Sequence, residues 1–254
     1  MAKYSKELFL RKYLPGNHLI SNNLLYKFQS GFIAGHSTVD QLIEIYYRIC
    51  MSLDNHCFIT LVLCDISKAF DRVWHTGLLL KLKAYGVEGK LLKWLESYIS
   101  SRKPCVLISN SKSPLVNTNA GVPRDSVLGS LLFLLYVNYI ADNLLILTRL
   151  FADNISLSYF SQSPYTIEDV INSDLESLYI WSKQWLVNFN PKKTKAMVFS
   201  NINLLNDVEI TFQDKLVEFA TCHKHTFDSN GKFHTHIVNI IKSASQRLCA
   251  LRKT

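Results

Sequence analysis

The stretch RLFADNISLSY, residues 149–159, sets two short apolar runs on either side of Asp153 and Asn154. Such a pattern predicts two strands joined by a tight turn, because Asp and Asn adopt turn dihedrals that β-branched neighbours resist. A carboxylate then sits at the tip of a hairpin. Flanked by Phe151, Ala152 and Ile155, it is costly to desolvate without a positive partner, and a metal ion is one candidate. An ordinary turn would use the same residues, so the reading depends on a second carboxylate elsewhere.

That acid stands at the end of CFITLVLCD, residues 57–65, a continuous apolar run rich in β-branched residues and of the length of a buried strand. A rigid strand aims its terminal Asp65 at whatever binds beyond the strand end, although an acid there can also serve as a helix cap. Amphipathic helical stretches follow at 75–85 and 90–101, with Leu79, Leu82, Leu92, Trp94, Leu95 and Ile99 inward. The segment KPCVLISNSKSPLVNTNAGVP predicts a hairpin turning at 110–113, and residues 125–139 an apolar helix. After the opening hairpin come an amphipathic helix at 166–187 and a strand at 195–200. The order strand, helices, hairpin, helix, strand is the split β-α-β arrangement of ferredoxin-like sheets, an α+β fold. In that topology Asp65 and Asp153 lie side by side on adjacent central strands. Two converging carboxylates suit divalent cations, and paired metals suit in-line phosphoryl transfer.

At the flanks, Ser37 or Thr38 caps a helix carrying Leu42, Ile45, Tyr46 and Ile49 on one face. Residues 208–219 predict a small hairpin turning at Gln213 and Asp214, and residues 236–252 a terminal amphipathic helix. The composition excludes disorder: of 254 residues, 48% are hydrophobic and 19% charged. A net charge of +8 is compatible with a polyanionic partner such as nucleic acid. The six cysteines form no CxxC pair and predict reduced thiols in an intracellular protein, nucleus and cytoplasm being indistinguishable. The most hydrophobic run, residues 127–141, is interrupted by Asn138 and falls short of the roughly 20 apolar residues of a membrane span, which predicts a buried helix and no membrane partner. Lys81, Lys83, Lys90, Lys93, Arg102 and Lys103 are candidates to track a nucleic-acid backbone, solvated helix faces being the alternative. Cys222, His223, His225, His234 and His236 hold zinc-compatible donors, but their spacing fits no standard finger.

Several segments in order resemble the reverse transcriptases of non-LTR (LINE-like) retrotransposons. CDISKAFDRVWH, residues 64–75, is similar to the first catalytic motif of that family, which maps the metal-binding Asp to Asp65 and the aromatic beneath the sugar to Phe70. GVPRDSVLGSLLF, residues 121–133, resembles the segment that contacts template and incoming nucleotide, placing Arg124 and Asp125 there. FADN resembles the family's Phe/Tyr-Ala-Asp-Asp turn, which assigns Asp153 to metal. WLVNFNPKKTKAMVFS, residues 185–200, is similar to the next motif and sets Lys193 near the triphosphate. QSGFIAGHSTVDQL, residues 29–42, looks like the fingers. The resemblance implies a polymerase palm with partial fingers over residues 1–56, a palm over 57–200 and a partial helical thumb over 201–254. It further implies an RNA-directed DNA polymerase, a nucleotidyltransferase using two Mg2+ ions, dNTPs, an RNA template and a DNA primer. A catalytically inactive remnant that at most binds nucleic acid, or a non-functional fragment, is the alternative.

Departures fall on functional positions. Asn154 stands where the family has a second Asp, and a neutral amide oxygen is a weaker ligand for a hard cation. Arg124 and Asp125 replace a usual Gln-Gly, Ser130 a usual Pro and Ile33 a usual Arg in the fingers. An Asp125 side chain would crowd and repel a triphosphate where Gly permits close approach. The pattern starts within the fingers and stops within the thumb, which predicts a piece of a larger retrotransposon polyprotein and a degenerate copy with little or no polymerase activity.

Overall fold

The computed structural model describes residues 24–100, 102, 105, 107–108, 111–115, 118–124, 126–200 and 208–220. Helix α1 (Thr38–Asp54) starts where the sequence supplies a capping box: Asp40 N donates to Ser37 Oγ at 3.2 Å, and Ser37 N donates to Asp40 Oδ2 at 2.7 Å. Strand β1 (Phe58–Asp65) follows, then a 3₁₀ turn (Ala69–Arg72), α2 (His75–Ala84), α3 (Gly89–Ser100), short strands β2 (Leu107–Ile108) and β3 (Ser111–Lys112), and α4 (Val127–Val137). The chain continues through a second 3₁₀ turn (Asn138–Ala141), β4 (Leu147–Phe151), β5 (Asn154–Ser161), α5 (Pro164–Gln184), β6 (Lys195–Phe199), β7 (Thr211–Phe212), β8 (Lys215–Leu216) and β9 (Glu218–Phe219).

One sheet has the order β4-β5-β1-β6-β9, with β1 central and antiparallel to both neighbours. Alternation along β1 splits its side chains between two cores. Phe58, Val62 and Cys64 join the larger one, with Leu78 and Leu82 of α2, Leu132 and Leu135 of α4, and Ile171, Leu175 and Leu178 of α5. Ile59 and Leu61 face the other way, against Ile45 and Ile49 of α1 and Met197 and Phe199 of β6. Each such buried aliphatic side chain stabilises by about 1.5–3 kcal/mol relative to exposure. Asp65 falls on the Ile59, Leu61 and Leu63 side, at the open end of the strand.

The α+β architecture and the expected element order are present. Residues 127–137 form a helix buried over most of its surface, and among the described residues no helix is long and apolar enough to cross a membrane. Two local expectations need correction. Ser111 and Lys112, expected in a turn, are strand residues paired with Ile108 and Leu107. In the FADN hairpin the left-handed backbone belongs to Ala152, at φ 55, rather than to Asp153 or Asn154. Asn154 is already the first residue of β5, paired with Phe151 on one side and Asp65 on the other. The Gln213-Asp214 turn is as expected, both residues having positive φ. Cys50, Cys57, Cys64 and Cys105 are free thiols. The terminal helix at 236–252 and the Cys222 and histidine cluster lie outside the described residues.

Candidate active site

The sheet register builds the site. Asp65 of β1 faces Asn154 of β5, so Asp153, one residue earlier in the turn, comes beside the end of β1. Ile66 N donates to Asp153 O at 2.9 Å, which ties the tip of the hairpin to the residue following Asp65. The third wall is the segment between α5 and β6. Ser67 N donates to Asn188 O at 2.7 Å, Asn190 N to Asp65 O at 2.9 Å and Lys193 N to Asn190 O at 3.0 Å. These bonds hold Lys193 so that its Nζ reaches both oxygens of Asp65, at 3.1 and 3.2 Å.

Behind the turn runs the segment from Gln29 to Gly31. Gln29 forms a parallel bridge to Leu150, and Ser30 N donates to Leu150 O at 2.9 Å. A Cβ on Gly31 would lie 2.1 Å from Ala152 N, so only glycine allows this segment to press against the tip of the hairpin. The contact was not legible as a functional one in the sequence; the QSG tripeptide preceding the capped helix is its only signal.

Burial pushes the Asp153 carboxyl pKa up, and the neighbouring Asp65 charge adds to this, while a backbone hydrogen bond, Lys193 and Arg124 pull it down. Asn154 Nδ2 donates to Asp153 Oδ1 at 3.4 Å, so an amide hydrogen stands where a second acid would repel. Among the described residues no group of three or more Asp, Glu, His or Cys side chains converges on one point. Asp65 and Asp153 supply two carboxylates and Asn154 a neutral third oxygen. Repelling carboxylates with a single amine as direct counter-charge fit a hard divalent cation.

Phe70, on the 3₁₀ turn after β1, stacks on Phe133 of α4 with centroids 4.9 Å apart and meets Phe32 edge-on at 5.8 Å. The turn is stitched to the loop before α4: Val122 N donates to Phe70 O at 2.8 Å, Gly121 N to Val73 O at 2.9 Å, and His75 Nε2 to Gly121 O at 2.8 Å. Gly121, at φ 100, passes within 3.1 Å (measured from a built Cβ) of Asp71 O, a backbone conformation and approach that favour glycine. Arg124 at the end of this loop pairs with Asp71. Of the expected site residues, Asp65, Asp153, Asn154 and Lys193 thus meet directly, Phe70 and Arg124 line the neighbouring wall, and Asp125 lies outside the described residues.

One expected contact is overturned. Lys81, read as a candidate for backbone tracking, is buried beneath α4 and α5. Its Nζ donates to Tyr136 O and lies 3.8 Å from the centroid of Trp185, 5.1 Å from Trp181 and 5.2 Å from Tyr136. It lies three residues after the buried Leu78 on the inward side of α2, so the apolar stripe carries it inward. Lys83, Lys90, Lys93 and Arg102 are exposed, and Lys103 lies outside the described residues.

Known proteins resemble this chain in sequence and in fold. The family described as "Reverse transcriptase (RNA-dependent DNA polymerase)" matches residues 12–233. The probable RNA-directed DNA polymerase from transposon BS of Drosophila melanogaster is 30% identical over 253 residues, which cover 92% of this chain and 27% of that protein. The corresponding protein from transposon X-element is 33% identical over 180 residues, 68% of this chain and 19% of its own length. The RNA-directed DNA polymerase from mobile element jockey of the same species is 28% identical over 251 residues, covering 94% and 27%. The chain therefore spans about a quarter or less of the curated relatives it matches. Among solved structures, telomerase from Candida tropicalis in complex with a TWJ fragment of telomeric RNA superposes with a TM-score of 0.55 at 12% identity, covering 82% of this chain and 36% of that one. Apo telomerase from the same organism, truncated from the C-terminal domain, gives 0.51 at 11% identity, covering 84% and 45%. Those two likenesses show the polymerase palm fold. With the family match across most of its length and the transposon relatives beside it, the chain belongs to the reverse transcriptase family, in its non-LTR, LINE-like branch.

Proposed function

We propose that this chain forms the polymerase centre of a retrotransposon reverse transcriptase, extending a DNA primer from its 3′-hydroxyl on an RNA template with dNTPs. The observation that carries the reading is the register Asp65↔Asn154, which brings Asp65 and Asp153 to one end of adjacent strands with Lys193 on Asp65. Asp65 and Asp153 would hold Mg2+, which when bound supplies the charge that lowers the cost of deprotonating the primer hydroxyl and of expelling pyrophosphate. The chain's own contributions are positional and electrostatic. Lys193 is placed to neutralise charge on the phosphates, and the stacked Phe70 offers a flat apolar surface to the sugar. The exposed Lys83, Lys90, Lys93 and Arg102 are available to nucleic-acid phosphates, in keeping with a net charge of +8.

Asn154 tempers this site without dismantling it. Its amide accepts a cation less strongly than a carboxylate and leaves Asp153 with one fewer repulsive neighbour. We therefore expect slow extension by the chain as it stands and faster extension by Asn154→Asp. The test is Mg2+-dependent elongation of a labelled DNA primer on an RNA template, with Asp153→Asn as control. Extension abolished in Asp153→Asn supports the reading; extension that survives this change contradicts it.

A further inference from the structure

One buried amine takes no part in the chemistry above. Lys81 donates from Nζ to Tyr136 O, and the same nitrogen lies 3.8 Å from the centroid of the Trp185 ring. Tyr136 also holds Trp185 through the other end of its side chain, its hydroxyl donating to Trp185 O. Ammonium, tyrosine and indole thus close a triangle around the C-terminal end of α5. Taking an amine out of water is costly, and an apolar side chain of similar length would fill the same space without that cost. Packing alone therefore leaves the cation unexplained.

What the triangle holds is the corner from which one wall of the carboxylate site departs. Trp185 follows the last residue of α5, and its N donates to Trp181 O at 3.0 Å. The chain then reverses at Leu186, whose φ of 53 is uncommon for a side chain of that bulk. Leu186 is exposed, so the bend is held by what surrounds it: Val187 N donates to Ser182 O at 2.9 Å, and Trp185 is fixed by the triangle. Beyond the bend, Asn188 O accepts from Ser67 N, Phe189 bridges Ile66, and Asn190 N donates to Asp65 O. Lys193 N donates to Asn190 O in turn. A shift in where α5 ends is carried along this short segment to the amine that rests on Asp65.

We propose that Lys81 is a positioning residue for nucleotidyl transfer: by pinning Trp185 it fixes where α5 ends, and so seats Lys193 on Asp65. The inference rests on the polymerase reading above. Lys81 lies beneath α4 and α5 and acts only through Trp185.

The test is a double-mutant cycle on kcat in primer extension, with the wild type, Lys81→Met, Lys193→Ala and the double variant, at a temperature where circular dichroism shows each protein folded. Lys81→Met lowers kcat by about tenfold, as a small displacement of a charge at the reacting phosphates does, and leaves the KM for primer and template unchanged. In the double variant the loss is no greater than in Lys193→Ala alone, because Lys81 then has nothing left to seat. Losses that multiply overturn the proposal, as does an unchanged kcat in Lys81→Met. Leu175→Ala, in the core of α5 outside the triangle, loses stability and keeps kcat; an equal fall in kcat there overturns the proposal, because destabilisation alone would then slow extension. Amide hydrogen exchange reads the same link without activity. At Ser67 and Asn190, exchange speeds up in Lys81→Met by about tenfold more than in Leu175→Ala; equal protection in the wild type and Lys81→Met overturns the proposal. Should Lys81→Met not fold, Tyr136→Phe, which removes the hydroxyl on Trp185 O, takes its place in both measurements, with the same coupling expected and multiplied losses again overturning the proposal. A wild type that extends no primer contradicts the polymerase reading, while a loss of protection in Lys81→Met still shows that Lys81 seats the Lys193 segment.

Discussion

Lys193 and Lys81 come from lysine-bearing stretches, NPKKTK and LLLKLKAYG, and meet opposite surroundings. Lys193 is 63% exposed and shares both oxygens of Asp65. Lys81 is 3% exposed, with a backbone carbonyl and aromatic faces around its amine and no carboxylate in hydrogen-bond contact. At the carboxylate end of the sheet, charge is kept near water and left partly uncompensated, which is what a cation or phosphate site requires. In the aromatic cage the protein has instead accepted the cost of burying an amine, and burial lowers its pKa to about 7, partly offset by the charge of Asp142. The first lysine stays solvated on a carboxylate at the strand end, and the second packs between α2, α4 and α5.

The contrast breaks most readily in kinetics. Lys193→Ala is expected to slow primer extension by about a hundredfold, as for removal of a preorganised charge at the reacting phosphates, while changing stability by less than about 1 kcal/mol because its ion pair is solvated. A loss of stability comparable with that of a Lys81 variant would show that the two lysines are not different in kind. Lys81→Ala should cost roughly 2–4 kcal/mol, from the cavity among Trp185, Trp181 and Tyr136 and the unpaired Tyr136 carbonyl. Thermal unfolding then reads a fall of roughly 5–15 °C in Tm.

The pH dependence sharpens the same comparison. Because the folded pKa of Lys81, about 7, lies below the ordinary lysine value of 10.5, the unfolded chain binds the extra proton between these limits. Stability therefore rises with pH from about 7 upward, with this residue contributing a slope of at most ~1.4 kcal/mol per pH unit, and its contribution is flat below that window. Subtracting the profile of Lys81→Met from that of the wild type isolates the slope; a null difference between pH 7 and 9 contradicts the burial of a titrating amine. The smallest effect belongs to the hairpin tip, where the cost is backbone strain. Ala152→Gly, at φ 55, should stabilise by about 1 kcal/mol, seen as a small upward shift in the denaturant midpoint.

Much of the carboxylate end was legible because its residues lie in short local patterns. The apolar run ending in Asp65 and the FADN turn carry their own local pattern, the Lys193 segment is placed by its resemblance to a family motif, and pairing in a split β-α-β sheet brings the three together. The capped start of α1 at Ser37 was legible for the same reason. The cage was not. Tyr136 is 55 residues from Lys81, and only the packing of three helices brings it and Trp185 to the amine; the available hint was that Lys81 lies three residues after the inward Leu78. The Arg124–Asp71 pair spans 53 residues across two loops, where no periodicity operates. The positive φ of Ala152 was hidden behind more tolerant neighbours, because the strand register, rather than residue preference, fixed which turn positions were central.

In the reading proposed above, Asp65 and Asp153 form a divalent-cation site whose strength Asn154 holds down. It is tested most directly by titrating Mn2+ into the purified chain, followed by electron paramagnetic resonance of the free ion, for the wild type, Asp153→Asn and Asn154→Asp. Binding is expected to be weak in the wild type, lost in Asp153→Asn and about tenfold tighter in Asn154→Asp, as when a neutral oxygen gives way to a charged one. Equal Mn2+ affinity in all three proteins would contradict it.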